Sequence, residues 1–129
     1  MLARGAVSWH SKLQKVVAQS TMEAEYIALS ETVKEALWMS KLMLDLTGRD
    51  CFPITIKTDN TAAIILAKNP ENHDKAKHID VRYHFIRDEV EKGRIQLVYV
   101  ESKKNLADLL TKSLCRQDHE FLTKSVGLD

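Results

Sequence analysis

Residues 20–46, STMEAEYIALSETVKEALWMSKLMLDL, are the stretch that decides the fold of this chain. They open with the capping box S-x-x-E, in which the Ser20 side chain and the Glu23 side chain each satisfy a backbone N–H of the other residue. Gly48 suits the left-handed cap that ends many helices. The pattern therefore predicts a long helix over residues 21–46. Its apolar positions recur at steps of three and four residues, namely Tyr26, Leu29, Val33, Leu37 and Leu44.

Outward from this helix, strand and helix patterns alternate along the chain. Runs rich in β-branched residues predict strands at residues 6–14, 53–57 and 94–100. Helical periods and capping residues predict further helices at residues 61–69, 79–93, 105–114 and 119–128, with Asn105 as the cap of the third. Alternation of this kind indicates an α/β fold, in which helices cover a sheet.

Length and composition limit the class of protein. A chain of 129 residues has the size of one domain, and we expect a single domain over residues 1–129. Apolar runs stay shorter than the roughly 18 residues of a membrane span, and the start has no signal-peptide pattern, which favours an intracellular protein. Cys51 and Cys115 are too few for a disulfide scaffold and are expected to be reduced thiols.

Three carboxylates stand where an α/β sheet gathers its ligands. Glu25 lies in the first turns of the long helix, four residues before Leu29, and is expected at the margin of the core. Asp59 follows the second strand, and Asp108 lies at the start of the helix after the third strand. Hard cations such as Mg²⁺ bind several carboxylate oxygens, so the three together suit a magnesium site.

Each of these acids has a structural alternative. Glu25 suits the first turn of a helix, where the dipole favours an acid in solvent. Asp59 is able to cap the next helix, although Asn60 offers the same cap and would leave Asp59 for another role. Asp108 suits dipole stabilisation and reciprocal capping at the start of its helix.

The histidines and tryptophans have simpler interpretations. The spacings of His73, His78 and His84 do not place them on one helix face, and no cysteine pair completes a zinc set. We expect a structural or substrate-backbone role for them. Trp38 lies within the helical pattern and is expected in the core, whereas Trp9 is a candidate for stacking on a nucleic-acid base.

Four segments resemble the RNase H region of copia-type LTR retrotransposon polyproteins. The resemblance runs from about residue 7 to the C-terminus and implies an RNase H-like fold, a mixed sheet flanked by helices. It also implies Mg²⁺-dependent hydrolysis of RNA in RNA/DNA hybrids. The metal-binding acids of the family match Glu25, Asp59 and Asp108, which are therefore the expected catalytic residues of a two-ion site. The segments are VSWHSKLQKVVAQSTMEAEYIALSETVKEALW (7–38), IKTDNTAAIILAKNP (56–70), HDKAKHIDVRYHFIRDEV (73–90) and NLADLLTK (105–112).

Nucleic acid is the partner that this resemblance implies. Lys12, Lys15, Arg82 and Arg87 are candidates for sequence-independent contacts with backbone phosphates. Acids are interspersed among the cations of residues 75–104, so a solvated face of mixed charge is the alternative. The net charge of +1 neither favours nor excludes nucleic acid.

The first catalytic aspartate of the family lies on a central strand that precedes the matched residues, and no acid precedes Glu23 here. We expect an RNase H-like fold that lacks its first two strands, with an incomplete metal site. A strand would then be missing between residues 6–14 and 54–58, and a homodimer or a partner's strand would fill this gap. Two functions stay open: an endonuclease completed by a partner segment, and a catalytically impaired, domesticated fragment that dimerises or binds nucleic acid or protein.

Overall fold

The computed structural model describes residues 6–14, 20–68 and 77–127. These residues belong to two compact units, and each is described by itself. Residues 20–68 and 77–99 lie in the larger unit, and residues 6–14 and 100–127 lie in the smaller one. The expectation of a single domain stays a prediction. Within these ranges, no helix combines the length and the apolar character that crossing a membrane requires.

The larger unit alternates helices with strands, as the sequence pattern predicts. Helix α1 begins after Ser20, whose Oγ accepts a hydrogen bond from the backbone N–H of Glu23 at 3.1 Å. It ends at Gly48, which has a φ of +67° and donates its N–H to the Leu44 carbonyl. Each element lies within two residues of its predicted bounds. The elements are α1 (Thr21–Thr47), β1 (Ile54–Thr58), α2 (Thr61–Lys68), α3 (Lys77–Glu91) and β2 (Ile95–Tyr99).

Strands β1 and β2 pair in parallel, with Ile54 opposite Ile95 and Thr58 opposite Tyr99. A parallel pair needs a crossover connection, and α2 and α3 lie within that connection. Alternate residues of a strand point to opposite faces, and Ile54, Ile56, Ile95 and Leu97 share the face against which the helices pack. The buried cluster on that face comprises Tyr26, Leu29, Val33, Ile56, Ala63, Ala67, Ile86, Ile95 and Leu97.

The second half of α1 extends beyond this cluster, and the prediction that Trp38 lies in the core was wrong. Trp38 is 58% exposed, and Leu44, another predicted core position, is 45% exposed. The physical reason is length. At about 1.5 Å per residue, the 27 residues of α1 span about 40 Å, whereas a five-residue strand spans about 17 Å. Packing against the cluster therefore reaches Ala36 and Leu37, and the last turns of the helix extend past it.

The smaller unit contains short helices and departs most from the sequence expectations. The helix expected from Asn105 onward begins only at Asp108, and the prediction of Asn105 as its cap was wrong. The cap position is Ala107, and Asn105 Oδ1 accepts from the Ala107 N–H at 3.3 Å in the turn that precedes the helix. The last helix begins three residues earlier than predicted. The elements are a 3₁₀ turn at Ser102–Lys104, α4 (Asp108–Thr111) and α5 (Arg116–Val126).

Residues 6–14 form no strand, so that prediction was wrong. A strand needs a neighbour that offers a ladder of backbone hydrogen bonds. No described strand offers such a ladder to this segment. Its hydrogen bonds include one from the Ala6 N–H to the Val126 carbonyl at 3.2 Å and one from Ser11 Oγ to the Leu110 carbonyl at 3.2 Å. Side chains of strand-like character consequently stay in solvent, with Trp9 72% exposed and Leu13 92% exposed.

We predict that the chain forms a homodimer in solution through the outer edge of β1. Among the described residues, β1 pairs with β2 alone, so its other edge presents backbone N–H and C=O groups to which a strand of a second copy is able to pair. Light scattering over a range of protein concentrations should show a dimer, and the unfolding midpoint should rise with concentration. A stable monomer at micromolar concentration, with unfolding independent of concentration, would contradict the prediction.

Candidate functional site

The carboxyl end of β1 carries a compact polar arrangement. Asp59 directly follows the last strand residue, and Asn60 then caps α2, because Asn60 Oδ1 accepts from the Ala63 N–H at 2.9 Å. The Asn60 N–H donates to Thr58 Oγ1 at 3.2 Å. Of the two alternatives that the sequence left open, the cap is therefore Asn60. The Asp59 carboxylate is half-buried at the strand end, where parallel sheets bind their ligands.

Glu25 reaches this strand end from α1. Asn60 Nδ2 donates a hydrogen bond to Glu25 Oε2, although 35 residues separate the two in sequence. Glu25 is exposed, whereas Glu23, two residues earlier, is only 4% exposed. The core margin is therefore occupied by Glu23 rather than by Glu25 as expected. The structure nevertheless brings Glu25 to the residue that adjoins Asp59.

Asp108 belongs to the smaller unit. It is 7% exposed, and its Oδ2 accepts from Lys112 Nζ at 2.8 Å. It begins α4, and its N–H donates to the Asn105 carbonyl at 3.1 Å, so the helix-start position expected for it is correct. Asp108 also lines a cavity of about 150 Å³, whose other lining residues are Ser102, Lys103, Leu114, Asp118 and Leu122. The convergence of Asp108 with Glu25 and Asp59 stays a prediction.

The donor chemistry of the strand end suits a hard divalent cation, because carboxylate oxygens are the protein ligands that Mg²⁺ prefers. Glu25 and Asp59 supply such oxygens in the larger unit, where Glu25 contacts Asn60, the residue after Asp59. Among the residues that the structure describes, no group of three or more histidine, cysteine or acidic side chains is arranged to hold a metal. Within the larger unit, the fit thus rests on the two carboxylates of Glu25 and Asp59.

A stacked pair of tyrosines at the core of the larger unit is a feature that sequence reasoning missed. The rings of Tyr26 and Tyr83 stack with centroids 3.8 Å apart and planes at 26°. Burial raises the pKa of the Tyr26 hydroxyl above its ordinary value, with Tyr83 adding to the rise and Arg87 opposing it. Burial also raises the pKa of Tyr83, and the Glu23 carboxylate adds to that rise. Both hydroxyls therefore stay protonated at neutral pH.

The candidate phosphate-binding cations differ in availability. Lys12 is exposed, Arg82 is half-buried, and Lys15 lies outside the described residues. The Arg87 side chain is 19% exposed, with one guanidinium nitrogen 2.8 Å from His84 Nδ1 and Nε 3.7 Å from Glu91 Oε1. Arg87 is therefore partly engaged by its own helix, and the phosphate role of all four cations stays a prediction.

The histidines and cysteines considered in the sequence either contact a neighbouring residue or lie outside the residues that the structure describes. His84 contacts Arg87, which accords with a structural role, whereas His73 and the side chain of His78 lie outside the described residues. Cys51 and Cys115 are free thiols, as predicted. Cys115 Sγ donates to Asp118 Oδ2 at 3.1 Å.

Known proteins similar to this chain are polyproteins of transposons. The chain is 44% identical over 124 residues (96% of its length) to the "Retrovirus-related Pol polyprotein from transposon TNT 1-94" of Nicotiana tabacum. It is 39% identical over 127 residues (98%) to the "Retrovirus-related Pol polyprotein from transposon RE1" of Arabidopsis thaliana. It is also 35% identical over 107 residues (81%) to the "Transposon Ty1-DR5 Gag-Pol polyprotein" of Saccharomyces cerevisiae.

These relatives are far longer than the chain, which spans 9% of each of the two plant polyproteins and 6% of the yeast polyprotein. No family model and no solved structure matches the chain. Over most of its length, the chain is thus homologous to a segment of retrovirus-related Pol polyproteins from plant transposons.

Replacing Tyr26 with phenylalanine should leave the free energy of unfolding unchanged or raise it by up to about 1 kcal/mol. The Tyr26 hydroxyl is buried and has no hydrogen-bond partner among the described residues, so its removal relieves a desolvation cost. Tyr26→Ala is the matched control and should cost about 3–5 kcal/mol, because it removes the stacked ring. Urea unfolding measures both variants. A loss above about 1 kcal/mol in Tyr26→Phe would contradict the prediction and reveal a partner for the hydroxyl.

Proposed function

From its homology to a segment of retrovirus-related Pol polyproteins from transposons, we propose that the chain is the RNase H-like, nucleic-acid-processing part of such a polyprotein. The reaction is Mg²⁺-dependent hydrolysis of the RNA strand in RNA/DNA hybrids. The proposal extends to an RNase H-like arrangement of the sheet and its helices. The segments quoted above, which include the sequences around Glu25, Asp59 and Asp108, carry the resemblance to that family.

One observation in the structure supports the metal-dependent chemistry of this proposal. Glu25 of α1 is hydrogen-bonded to Asn60, the residue after Asp59, at the carboxyl end of β1. Two acids far apart in sequence are thereby brought to one end of a parallel strand, where α/β proteins bind ligands. A solvated acid in the first turn of a helix, the alternative for Glu25, requires no such long-range partner.

Glu25, Asp59 and Asp108 are the residues that would hold Mg²⁺. Bound metal ions supply charge stabilisation for the attacking and leaving oxygens of a phosphodiester. The chain itself contributes the carboxylates and their orientation. Asn60 holds the Glu25 carboxylate, and Lys112 offsets the charge of Asp108 in the smaller unit.

The binding-module alternative rests on the acid content of the chain. Residues 1–22 contain no acid, so the first catalytic aspartate of the resembled family has no counterpart there. A site of three carboxylates holds two metal ions less firmly than a site of four. Binding of nucleic acid without turnover is the function that this chain would then perform by itself.

We predict that the 129-residue chain alone cleaves an RNA/DNA hybrid slowly or not at all in Mg²⁺. The same chain should cleave when it replaces the homologous segment of the tobacco polyprotein, because the longer protein provides the rest of the site. Asp59→Asn should reduce cleavage by the chimera at least about 100-fold, since losing a metal ligand exceeds the usual cost of losing an outer hydrogen-bond partner. A gel assay with a labelled RNA strand measures each rate.

Asp45→Asn is the matched control for this assay, because Asp45 is an exposed acid on α1 and lies far along the helix from Glu25. It should leave cleavage unchanged. A chimera that does not cleave, or one in which Asp59→Asn and Asp45→Asn behave alike, would contradict the proposed function. Efficient cleavage by the isolated chain would instead contradict the expected need for the longer protein.

Binding of the hybrid should be independent of sequence and should weaken steadily as salt rises, because cations that neutralise phosphates release counterions. Lys12→Ala should lower the affinity and reduce the slope of log affinity against log salt by about 1. Lys34→Ala is the control, since Lys34 is already paired with Glu31 at 2.9 Å. Fluorescence anisotropy with a labelled hybrid measures both. An affinity that is undetectable at low salt would contradict this prediction.

A further inference from the structure

We propose that Asn60 is a positioning residue, whose side-chain amide fixes the Glu25 carboxylate at the carboxyl end of β1 while the same amide caps α2. The hydrogen bond from Asn60 Nδ2 to Glu25 Oε2 is called the Asn60–Glu25 tether below. Its consequence for metal binding rests on the proposed function. The tether itself is a property of the metal-free chain.

The orientation of the Asn60 amide is determined by its two partners. The Ala63 N–H is a donor and requires the amide oxygen, which lies 2.9 Å away. The Glu25 carboxylate is an acceptor and requires the amide nitrogen. A flipped amide would place oxygen against carboxylate and NH₂ against N–H, losing both hydrogen bonds at once. The two hydrogen bonds therefore require the same orientation of the Asn60 amide.

Asn60 is a firm anchor, because its backbone is held on both sides. Its N–H donates to Thr58 Oγ1 at 3.2 Å, and its carbonyl accepts from the Ile64 N–H at 3.3 Å. Glu25, by contrast, is an exposed side chain with three rotatable bonds, and such a side chain in solvent samples many rotamers. The tether therefore restricts Glu25 rather than Asn60, at a point one residue from Asp59.

The cap alone does not account for an asparagine at this position. Serine and asparagine are about equally good N-caps, since each offers one side-chain oxygen to the first turn of the helix. The serine hydroxyl has its donor on the capping oxygen itself, whereas the amide has a donor on a separate nitrogen atom, one bond farther from the backbone. Asn60→Ser consequently separates the two roles: it retains the cap and removes the tether.

The first test is made on the metal-free chain by NMR. In the ¹H–¹⁵N spectrum, the side-chain NH₂ signals of Asn60 should shift in Glu25→Ala, while the Ala63 backbone amide stays unchanged because the cap is retained. Glu25→Gln is the conservative control, since its side-chain carbonyl still accepts the hydrogen bond, and it should keep the NH₂ signals near their original positions. Asn60 signals that do not respond to Glu25→Ala would overturn the proposal.

The second test measures Mn²⁺ affinity by electron paramagnetic resonance, with Mn²⁺ as the probe. Asn60→Ser should bind Mn²⁺ about 10-fold more weakly than the unsubstituted chain, the lower end of the usual cost of losing a partner of a metal ligand. Urea unfolding should show that the variant keeps its stability. In the Glu25→Ala background, Asn60→Ser should have no further effect, because Asn60 acts through Glu25.

Failure of the tether and failure of the proposed function are distinguishable in these tests. An equal effect of Asn60→Ser with and without Glu25 would overturn the positioning role, since Asn60 would then act by another route. Absence of Mn²⁺ binding by the unsubstituted chain would overturn the consequence of the tether for metal binding, whereas cleavage by the chimera decides the proposed function. The NMR result would still decide whether Asn60 fixes Glu25.

Discussion

Parallel pairing of β1 with β2 is the constraint on which the larger unit depends. Because the strands run in the same direction, both carboxyl ends lie at the same edge, and the chain between them must cross back over the sheet. Helix α2 therefore starts at the edge where β1 ends, and Asn60 stands at that junction. The apolar face shared by the strands then provides the surface on which α1, α2 and α3 pack.

Much of this arrangement was predictable from the sequence, because its signals are local. A capping box at Ser20, a glycine at position 48 and β-branched runs each specify an element through contacts within a few residues. Residues 6–14 show what such local signals do not predict. Their composition is typical of a strand, but a strand exists only if another strand accepts its hydrogen bonds, and composition does not reveal the partner.

In the candidate site, too, local sequence patterns predict some features and not others. The position of Asp59 at the strand end follows from a strand that runs into a helix, whereas the sequence left the cap open between Asp59 and Asn60. The contact between Asn60 and Glu25 depends on how α1 lies over the sheet, which no local pattern specifies. Trp38 was misplaced for a related reason, since helical periodicity identifies a face of α1 but not the length over which that face is covered.

The unequal burial of α1 has a consequence for how this helix unfolds locally. Its first half is locked by Tyr26, Leu29 and Val33, which are almost fully buried, whereas exposed side chains dominate the second half. Amides near the C-terminal end are therefore expected to exchange through brief local fraying, whereas those near Val33 require loss of the whole unit. Glu25 stands at the slow end of this gradient. Fraying that begins near Gly48 is therefore expected to stop before the turn of helix that carries Glu25.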